Sequence, residues 1–158
     1  MPNFDSAFTR TMVIEGWGET TNHPNDAGKL TKFGLSKTAN PDLDIANLRL
    51  EQAKEIYRER YWKYTGARLT NQQCAEVVFD MGVNAGPRFS VKLAQRAAGV
   101  SPDDGLLGSQ TRAAIERDPM RFIRDFTLLR ISYYAALTSR PTQRVFLRGW
   151  VMRSLSFL

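Results

Sequence analysis

The sequence predicts a single, mainly α-helical domain over residues 1–158, with a small loop or β-hairpin region after the first helix. Three observations support this fold class. Apolar residues recur at three- and four-residue spacing almost throughout, and turn-forming residues separate the stripes. Only Asp26 to Leu35 and the stretch before Leu48 lack a helical period. A chain of this length can also bury a core without disulfide or metal staples.

The first helical stripe ends at a carboxyl group. Phe4, Phe8 and Met12 precede Glu15 at helical spacing, so Glu15 belongs to the stripe that should face the core. Apolar surroundings and a helix C-terminus both disfavour an ionised carboxylate, so we expect a raised pKa for Glu15. Such a group can serve as a general acid near neutral pH. Trp17, between two glycines, offers a flat apolar surface on which a sugar ring can pack.

The Gly-containing segment that follows supplies a second carboxyl group, Asp26, and a hydroxyl group, Thr31. A general acid, a second carboxylate and a group that places water are what hydrolysis of a glycosidic bond needs. We therefore interpret Glu15, Asp26 and Thr31 as the catalytic set of a glycosidase. Asp26 has an alternative interpretation as a local cap, because it lies among the usual turn formers. The distance between the carboxyl groups would decide between inversion and retention.

Two helices should follow the loop region. Ala53, Tyr57 and Tyr61 form one apolar stripe. Thr70, with Gln73 three residues later, matches a capping box and is expected to begin the next helix.

Cysteine and histidine are too few for metal or thiol chemistry. Cys74 falls on an apolar helical stripe, so a buried, unreactive thiol is expected. His23 lies in a polar segment and is expected to be a surface turn residue. One Cys and one His do not make a structural zinc site or a disulfide, so we predict no metal and no cofactor.

The C-terminal half should contain at least four more stretches of helix. Asn84 and Gly86 should end one helix, Pro87 should begin another, and Ser109 is expected to cap a third. After the helices that begin at Pro87 and Ser109, a central helix should begin at Asp118 and Pro119. Its buried face is predicted to contain Phe122, Phe126, Leu129 and Tyr133. A last helix from about Thr142 should bury Phe146 and Trp150.

The chain is basic, with a formal charge of +6. Arg121, Arg124 and Arg130 are expected on the solvated face of the central helix. A basic surface would concentrate the protein on polyanionic bacterial envelopes. No zinc finger, phosphate-binding loop or aromatic-basic RNA motif is present, so nucleic acid is not expected as a partner. No apolar run suits a membrane span or a cleavable signal peptide.

Five segments, in this order, are similar to glycoside hydrolase family 108: 15–17, 26–35, 57–62, 79–86 and 149–153. That family comprises phage endolysins and bacterial autolysin-like proteins that act as N-acetylmuramidases. The resemblance implies a lysozyme-like fold and Glu15 as the catalytic acid, although Trp17 replaces the family's tyrosine. The order of the catalytic set is also similar to that of phage-type lysozymes. This implies that Asp26 handles the water or the developing positive charge, and that Thr31 helps to place the water.

The resemblance also divides the domain into a catalytic part, 1–86, and a helical part, 87–153, similar to a peptidoglycan-binding module. Segment 80–86 resembles a helix end that lines the sugar cleft in lysozyme-like folds. Asn84 therefore either contacts substrate or only ends its helix. Trp17 and Tyr61 are the sugar-stacking candidates, and the spacing of Tyr61 equally suits a core residue.

The leading hypothesis is an endolysin-type N-acetylmuramidase that hydrolyses the β-1,4 bond between N-acetylmuramic acid and N-acetylglucosamine in peptidoglycan and causes lysis. A lytic transglycosylase and a non-catalytic peptidoglycan-binding or secretion-assisting protein are the alternatives. A monomer is expected. The resemblance implies a location in the host cytoplasm and action in the periplasm or cell wall after release by a separate pore-forming protein.

Overall fold

The computed structural model describes residues 1–14, 21–22 and 30–158. Within these ranges there are seven α-helices, three short strands and two 3-10 segments. In chain order they are α1 (Phe4–Ile14), β1 (Thr21–Asn22), β2 (Leu30–Lys32), β3 (Leu35–Ser36), α2 (Leu50–Arg60), a 3-10 turn (Trp62–Tyr64), α3 (Gln72–Ala85), α4 (Pro87–Ala97), α5 (Ser109–Arg117), α6 (Pro119–Leu137), a 3-10 segment (Pro141–Phe146) and α7 (Leu147–Leu155).

The three strands form a small antiparallel sheet in the order β1-β2-β3. Phe33 and Gly34 connect β2 to β3, and both have positive φ, 51° and 73°. Two central residues of this kind suit a tight hairpin, because the twist of such a turn matches the twist of the flanking strands. The predicted fold class, mainly helical with a small hairpin region after the first helix, is confirmed.

Helix α3 is the centre of the core, and every residue from Cys74 to Gly82 is buried. It packs against α1, α4 and α6. Burial raises the pKa of the Cys74 thiol to about 12, so the thiol stays protonated at neutral pH. The expectation of a buried cysteine is confirmed. No helix in the described part of the chain is long and apolar enough to cross a membrane.

Two predicted helix caps lie one residue away from the observed ones. Asn71, not Thr70, caps α3, and its Oδ1 accepts a hydrogen bond of 3.0 Å from Cys74 N. Thr70 instead donates its backbone N–H to Glu116. Gly108 occupies the cap position of α5 without a side-chain hydrogen bond, which makes Ser109 the first helical residue. A difference of one residue is within the usual uncertainty of a helix end.

The cap of α6 is as predicted, because Asp118 Oδ1 accepts a hydrogen bond of 3.1 Å from Arg121 N. Phe122 and Phe126 are buried, as expected, whereas Leu129 and Tyr133 are half-buried. The expectation that Arg130 is solvated was wrong: it is 1% exposed. Arg130 follows Phe126 by four residues, so helical spacing continues the buried stripe through it.

The C-terminal segment also differs from the expectation. Helix α7 begins at Leu147 rather than near Thr142, after the 3-10 segment. Phe146 was expected to be buried and is 52% exposed. Trp150 is half-buried and stacks on Tyr134 with ring centroids 5.0 Å apart. The buried aromatic residue of this end is Phe157, which is 1% exposed.

Candidate active site

Three of the predicted site residues, Glu15, Trp17 and Asp26, lie outside the described residues. Glu15 comes directly after Ile14, the last residue of α1. Thr31, Tyr61 and Asn84 are described, on or beside three different elements. Helix α1 leads to Glu15 and strand β2 contains Thr31, so the contacts that hold these two elements determine where both residues can lie.

Helix α1 is fixed to α3 by both apolar and charged contacts. Phe8 and Met12 are buried, as the apolar stripe predicted. The ring of Phe4 packs edge-on against Phe79 at 5.9 Å. Arg10 Nη1 lies 2.7 Å from Glu76 Oε2, and this glutamate is largely buried. The helix that leads to Glu15 is thus held along its length by the core.

Tyr57 of α2 connects α1 to the hairpin. Its ring, 2% exposed, packs against Phe8 with centroids 5.5 Å apart. Its Oη donates a hydrogen bond of 2.9 Å to the carbonyl oxygen of Phe33 in the hairpin turn. A Cβ on Gly34 would lie only 2.7 Å from this Oη, so the close approach requires glycine. One tyrosine therefore ties both elements to the same core.

Thr31 lies at the centre of this hairpin sheet. It is half-buried and pairs with Thr21 in β1 and with Ser36 in β3. The hydrogen-bonded ladder on both sides limits the movement of its backbone. Because the adjacent turn is fixed by Tyr57, the position of Thr31 relative to α1 is fixed as well.

Tyr61 has contacts that suit its core interpretation. It is half-buried at the end of α2, and its ring lies 5.3 Å from that of Tyr57, at an interplanar angle of 32°. By contrast, Tyr64 in the following 3-10 turn is 58% exposed. Of these two tyrosines, Tyr64 offers the larger free ring surface.

Asn84 is exposed near the end of α3, and a tyrosine sets its orientation. Tyr134 Oη donates a hydrogen bond of 2.7 Å to Asn84 Oδ1. This contact assigns the carbonyl end of the amide to the protein, which leaves the Nδ2 end as the donor available to other groups. Asn84 also lies one residue before the helix end, where Gly86 has φ of 93°. Asn84 thus lies where α3 ends, and the hydrogen bond from Tyr134 fixes the orientation of its side-chain amide.

The sequence did not predict the charged group behind Asn84. Asp80 is fully buried and lies 2.6 Å from Arg130 Nη2 and 2.8 Å from Arg153 Nη2. Burial by itself raises the pKa of Asp80, but hydrogen bonds from Arg153 and the charges of both guanidinium groups outweigh it, so the pKa is lowered. The cluster joins α3, α6 and α7.

A hydrogen-bond chain runs from this cluster to Asn84. Arg130 Nε donates to Tyr134 Oη at 3.1 Å, and the same hydroxyl donates to Asn84. Burial raises the pKa of Tyr134, so the hydroxyl stays protonated and can act as donor. The sequence signal that could have revealed this arrangement is the four-residue spacing between Phe126 and Arg130, which continues the buried stripe of α6.

Two sizeable depressions among the described residues are relevant to ligand binding. The larger has a volume of about 960 Å³ and lies between the 60–68 region and the start of α4 with loop 104–108. The smaller, about 480 Å³, lies between α4, α5 and α6. No cluster of three or more His, Cys, Asp or Glu side chains that could hold a metal ion occurs in the described part of the chain.

Comparison with known proteins gives two family matches that together cover most of the chain. Residues 8–86 match the family described as Glycosyl hydrolase 108, and residues 89–155 match one described as Predicted Peptidoglycan domain. No curated protein sequence matches. Among solved structures, the one titled "Structure of Brucella abortus SagA" is 26% identical, with a TM-score of 0.78 over 97% of this chain and 92% of that chain.

Proposed function

The chain belongs to the glycosyl hydrolase 108 family, and from this premise we propose that it is an N-acetylmuramidase acting on the β-1,4 bond between N-acetylmuramic acid and N-acetylglucosamine. The family match supports glycoside hydrolase activity and a lysozyme-like role in peptidoglycan degradation. The second match supports peptidoglycan as the ligand. We further propose that cleavage of this bond causes lysis of the cell.

The observation that carries the proposal is the link through Tyr57. It holds α1, which directly precedes Glu15, and the hairpin that contains Thr31 against one rigid core. Catalytic groups must be held in place, because small displacements cost large factors in rate. In this proposal Glu15 protonates the glycosidic oxygen, Asp26 stabilises positive charge or activates water, and Thr31 positions that water.

Three residues are proposed to contact substrate. Trp17 stacks on a sugar ring, as aromatic side chains do on the apolar faces of carbohydrates, and Tyr61 supplies a second aromatic edge. Asn84 donates from Nδ2 to the sugar or to the catalytic loop. The hydrogen bond from Tyr134 supports this role, because it fixes which end of the amide faces outward.

The proposed biological setting follows from the family resemblance. The protein would be a monomeric endolysin that accumulates in the host cytoplasm and reaches the cell wall after a separate pore-forming protein opens the membrane. Its basic composition, +6, would favour binding to a polyanionic envelope and would lose this benefit as salt rises.

The decisive experiment compares Glu15→Gln with the parent protein on purified peptidoglycan. We expect fragment release to fall by about two orders of magnitude or more, because an amide cannot protonate the leaving oxygen. Glu51→Gln, an exposed glutamate of α2, is the matched control and should keep full activity. Circular dichroism checks that both variants fold.

Mass spectrometry of the released fragments tests the reaction type. Reducing N-acetylmuramic acid ends support hydrolysis, whereas 1,6-anhydro ends would identify a lytic transglycosylase. If the parent protein binds peptidoglycan and releases no fragments, the non-catalytic alternative replaces the proposal.

A further inference from the structure

The larger depression has walls from both matched segments, and we call it the seam groove. One wall consists of Arg60, Lys63, Tyr64 and Arg68, within the glycosyl hydrolase match. The other consists of Pro87, Arg88 and residues 104–108. Loop 104–108 falls within the peptidoglycan match. A ligand in the seam groove would therefore contact both parts of the chain.

The seam groove is strongly cationic. It is lined by four Arg or Lys side chains and one acidic residue, Asp104. This carboxylate is already engaged, since Asp104 Oδ1 accepts hydrogen bonds from Gln95 Nε2 at 2.7 Å and from Leu106 N at 2.8 Å. Asp104 thus holds the loop and also interacts electrostatically with Arg88 on its own wall. The opposite wall, with Arg60, Lys63 and Arg68, contains no acidic residue in the described part of the chain.

The four cations differ in whether they already have partners. Arg60 holds loop 40–42 through Asn40 and Asp42, and Lys63 pairs with Glu59 at 3.0 Å on the exposed face of the turn. Arg68 and Arg88 form no ion pair within 4.0 Å among the described residues. Arg88 does interact electrostatically with Asp104. Even so, these two guanidinium groups can bind a ligand without breaking an ion pair.

Arg88 is also in an unfavourable position for a helix. It lies in the first turn of α4, where the helix dipole disfavours cations, and Lys92 follows at the i+4 position. Gly105, with φ of 80°, packs on its stem, and a Cβ there would lie 2.7 Å from Arg88 Cγ. The loop therefore holds Arg88 at the groove wall, where Asp104 offsets part of this cost. A bound anion would offset more of it.

Apolar surface lies beside these charges. Tyr64 is 58% exposed and Leu106 is 68% exposed, one on each wall. The volume of about 960 Å³ is that of a site for a short peptide or oligosaccharide. A matching ligand carries carboxylates for the arginine forks and aliphatic carbon for the exposed side chains.

We propose that the seam groove binds the peptide stem of peptidoglycan, with stem carboxylates on Arg68 and Arg88. The stem supplies free carboxylates and aliphatic side chains together, whereas the glycan backbone supplies neither once its lactyl groups are amidated. This inference rests on the proposed function, because it takes peptidoglycan as the substrate. In this proposal the protein binds the peptide stem of its substrate as well as the sugar chain.

The test measures binding by the full chain that carries Glu15→Gln, so that catalysis does not contribute to the measured heat. The probe is a disaccharide-tetrapeptide muropeptide, compared by calorimetry with the same molecule amidated at every carboxyl group. In Arg68→Gln/Arg88→Gln, we expect Kd to rise about tenfold or more, since two charge-assisted hydrogen bonds are lost. The amidated probe should bind the parent equally weakly.

Arg140→Gln/Arg148→Gln is the matched control. Both residues are exposed and lie outside the groove, and this variant loses the same formal charge. Its Kd should stay within about twofold of the parent value, because long-range attraction is screened by salt. Equal weakening in both double variants, or equal affinity of the two probes, would overturn the proposal.

The two proposals fail in different ways. If the protein with Glu15 intact releases no sugar fragments while the muropeptide still binds through Arg68 and Arg88, the muramidase proposal fails and the stem site stands. If fragments are released and the groove variant binds the muropeptide as the parent does, the stem site alone fails. Thermal unfolding of each variant verifies that the fold is retained.

Discussion

Arg130 and Asp80, 50 residues apart in the sequence, form an ion pair of 2.6 Å in the core, with side-chain exposures of 2% and 0%. Arg153 binds the same carboxylate from α7. A buried charge is costly unless its partners satisfy it. Here two guanidinium groups satisfy Asp80, and the hydroxyl of Tyr134 accepts a hydrogen bond from Arg130 Nε. The pair joins α3 of the glycosyl hydrolase match to α6 of the peptidoglycan match.

Removing Arg130 should therefore destabilise the whole domain. We expect Arg130→Met to lower the free energy of unfolding by about 3 kcal/mol, because Asp80 is left with one cation in a buried site. Arg124→Met, on the exposed face of the same helix, should change it by about 0.5 kcal/mol or less. Urea unfolding followed by circular dichroism measures both. Similar values for the two variants would contradict a buried role for the pair.

The lowered pKa of Asp80 predicts a pH dependence of stability. A carboxyl group with a depressed pKa in the folded state stabilises above its unfolded pKa, about 3.9, and loses this contribution as pH falls through the folded value. Asp80→Asn lacks this titration. The stability difference between parent and variant should be constant from pH 5 to 7, and should shrink below about pH 4. A difference that does not change down to about pH 2 would contradict the assignment.

The close approach of Gly34 to Tyr57 can be tested against a second glycine. Gly34→Ala introduces both a strained φ of 73° and a contact of 2.7 Å with Tyr57 Oη. Gly99→Ala introduces the strain alone, since φ there is 68° and nothing lies within 4 Å of the added Cβ. Gly34→Ala should cost about 1 kcal/mol more, the net value of the Tyr57 hydrogen bond. Fragment release from peptidoglycan should fall in Gly34→Ala and persist in Gly99→Ala.

Asn84 either contacts the substrate or the catalytic loop, or only ends its helix, and a substitution of its hydrogen-bond partner, Tyr134, distinguishes the two. Tyr134→Phe removes the donor to Asn84 and also the acceptor of Arg130 Nε, so its stability is measured beside its activity. If Asn84 contacts the substrate or the catalytic loop, fragment release should fall by about tenfold at temperatures where the variant is fully folded. Tyr133→Phe, its half-buried neighbour on α6, is the control and should stay near the parent rate. Equal rates for all three proteins would leave Asn84 as a helix-ending residue only.

Local patterns in the sequence predicted the elements that depend on near neighbours. The stripe through Phe8 and Met12 predicted the buried face of α1, and Asp118 predicted the start of α6. The hairpin region was predicted from the absence of a helical period. These features depend on residues within one or two helical turns of each other, so the local sequence is enough to predict them.

Features that depend on distant partners were predicted wrongly or not at all. Arg130 was expected in solvent because a charged side chain without a known partner is normally exposed. Its partner, Asp80, is 50 residues away in the sequence. Phe146 was expected inside, but it is half exposed and packs on Trp150 from the outside, whereas Phe157 is the buried aromatic residue of this end. The cap of α3 is Asn71 and not Thr70, and the backbone N–H of Thr70 donates instead to Glu116, 46 residues away.

By itself, the sequence determined the helical fold class, the order of Glu15, Asp26 and Thr31 along the chain, and the family that these residues indicate. Only the tertiary structure decided that Tyr57 joins α1 to the hairpin, that Tyr134 orients Asn84, and that Arg68 and Arg88 share a groove. The physical reason is the range of the interactions. Periodicity and capping act within a few residues, whereas ion pairs, ring contacts and grooves form between elements that only folding brings together.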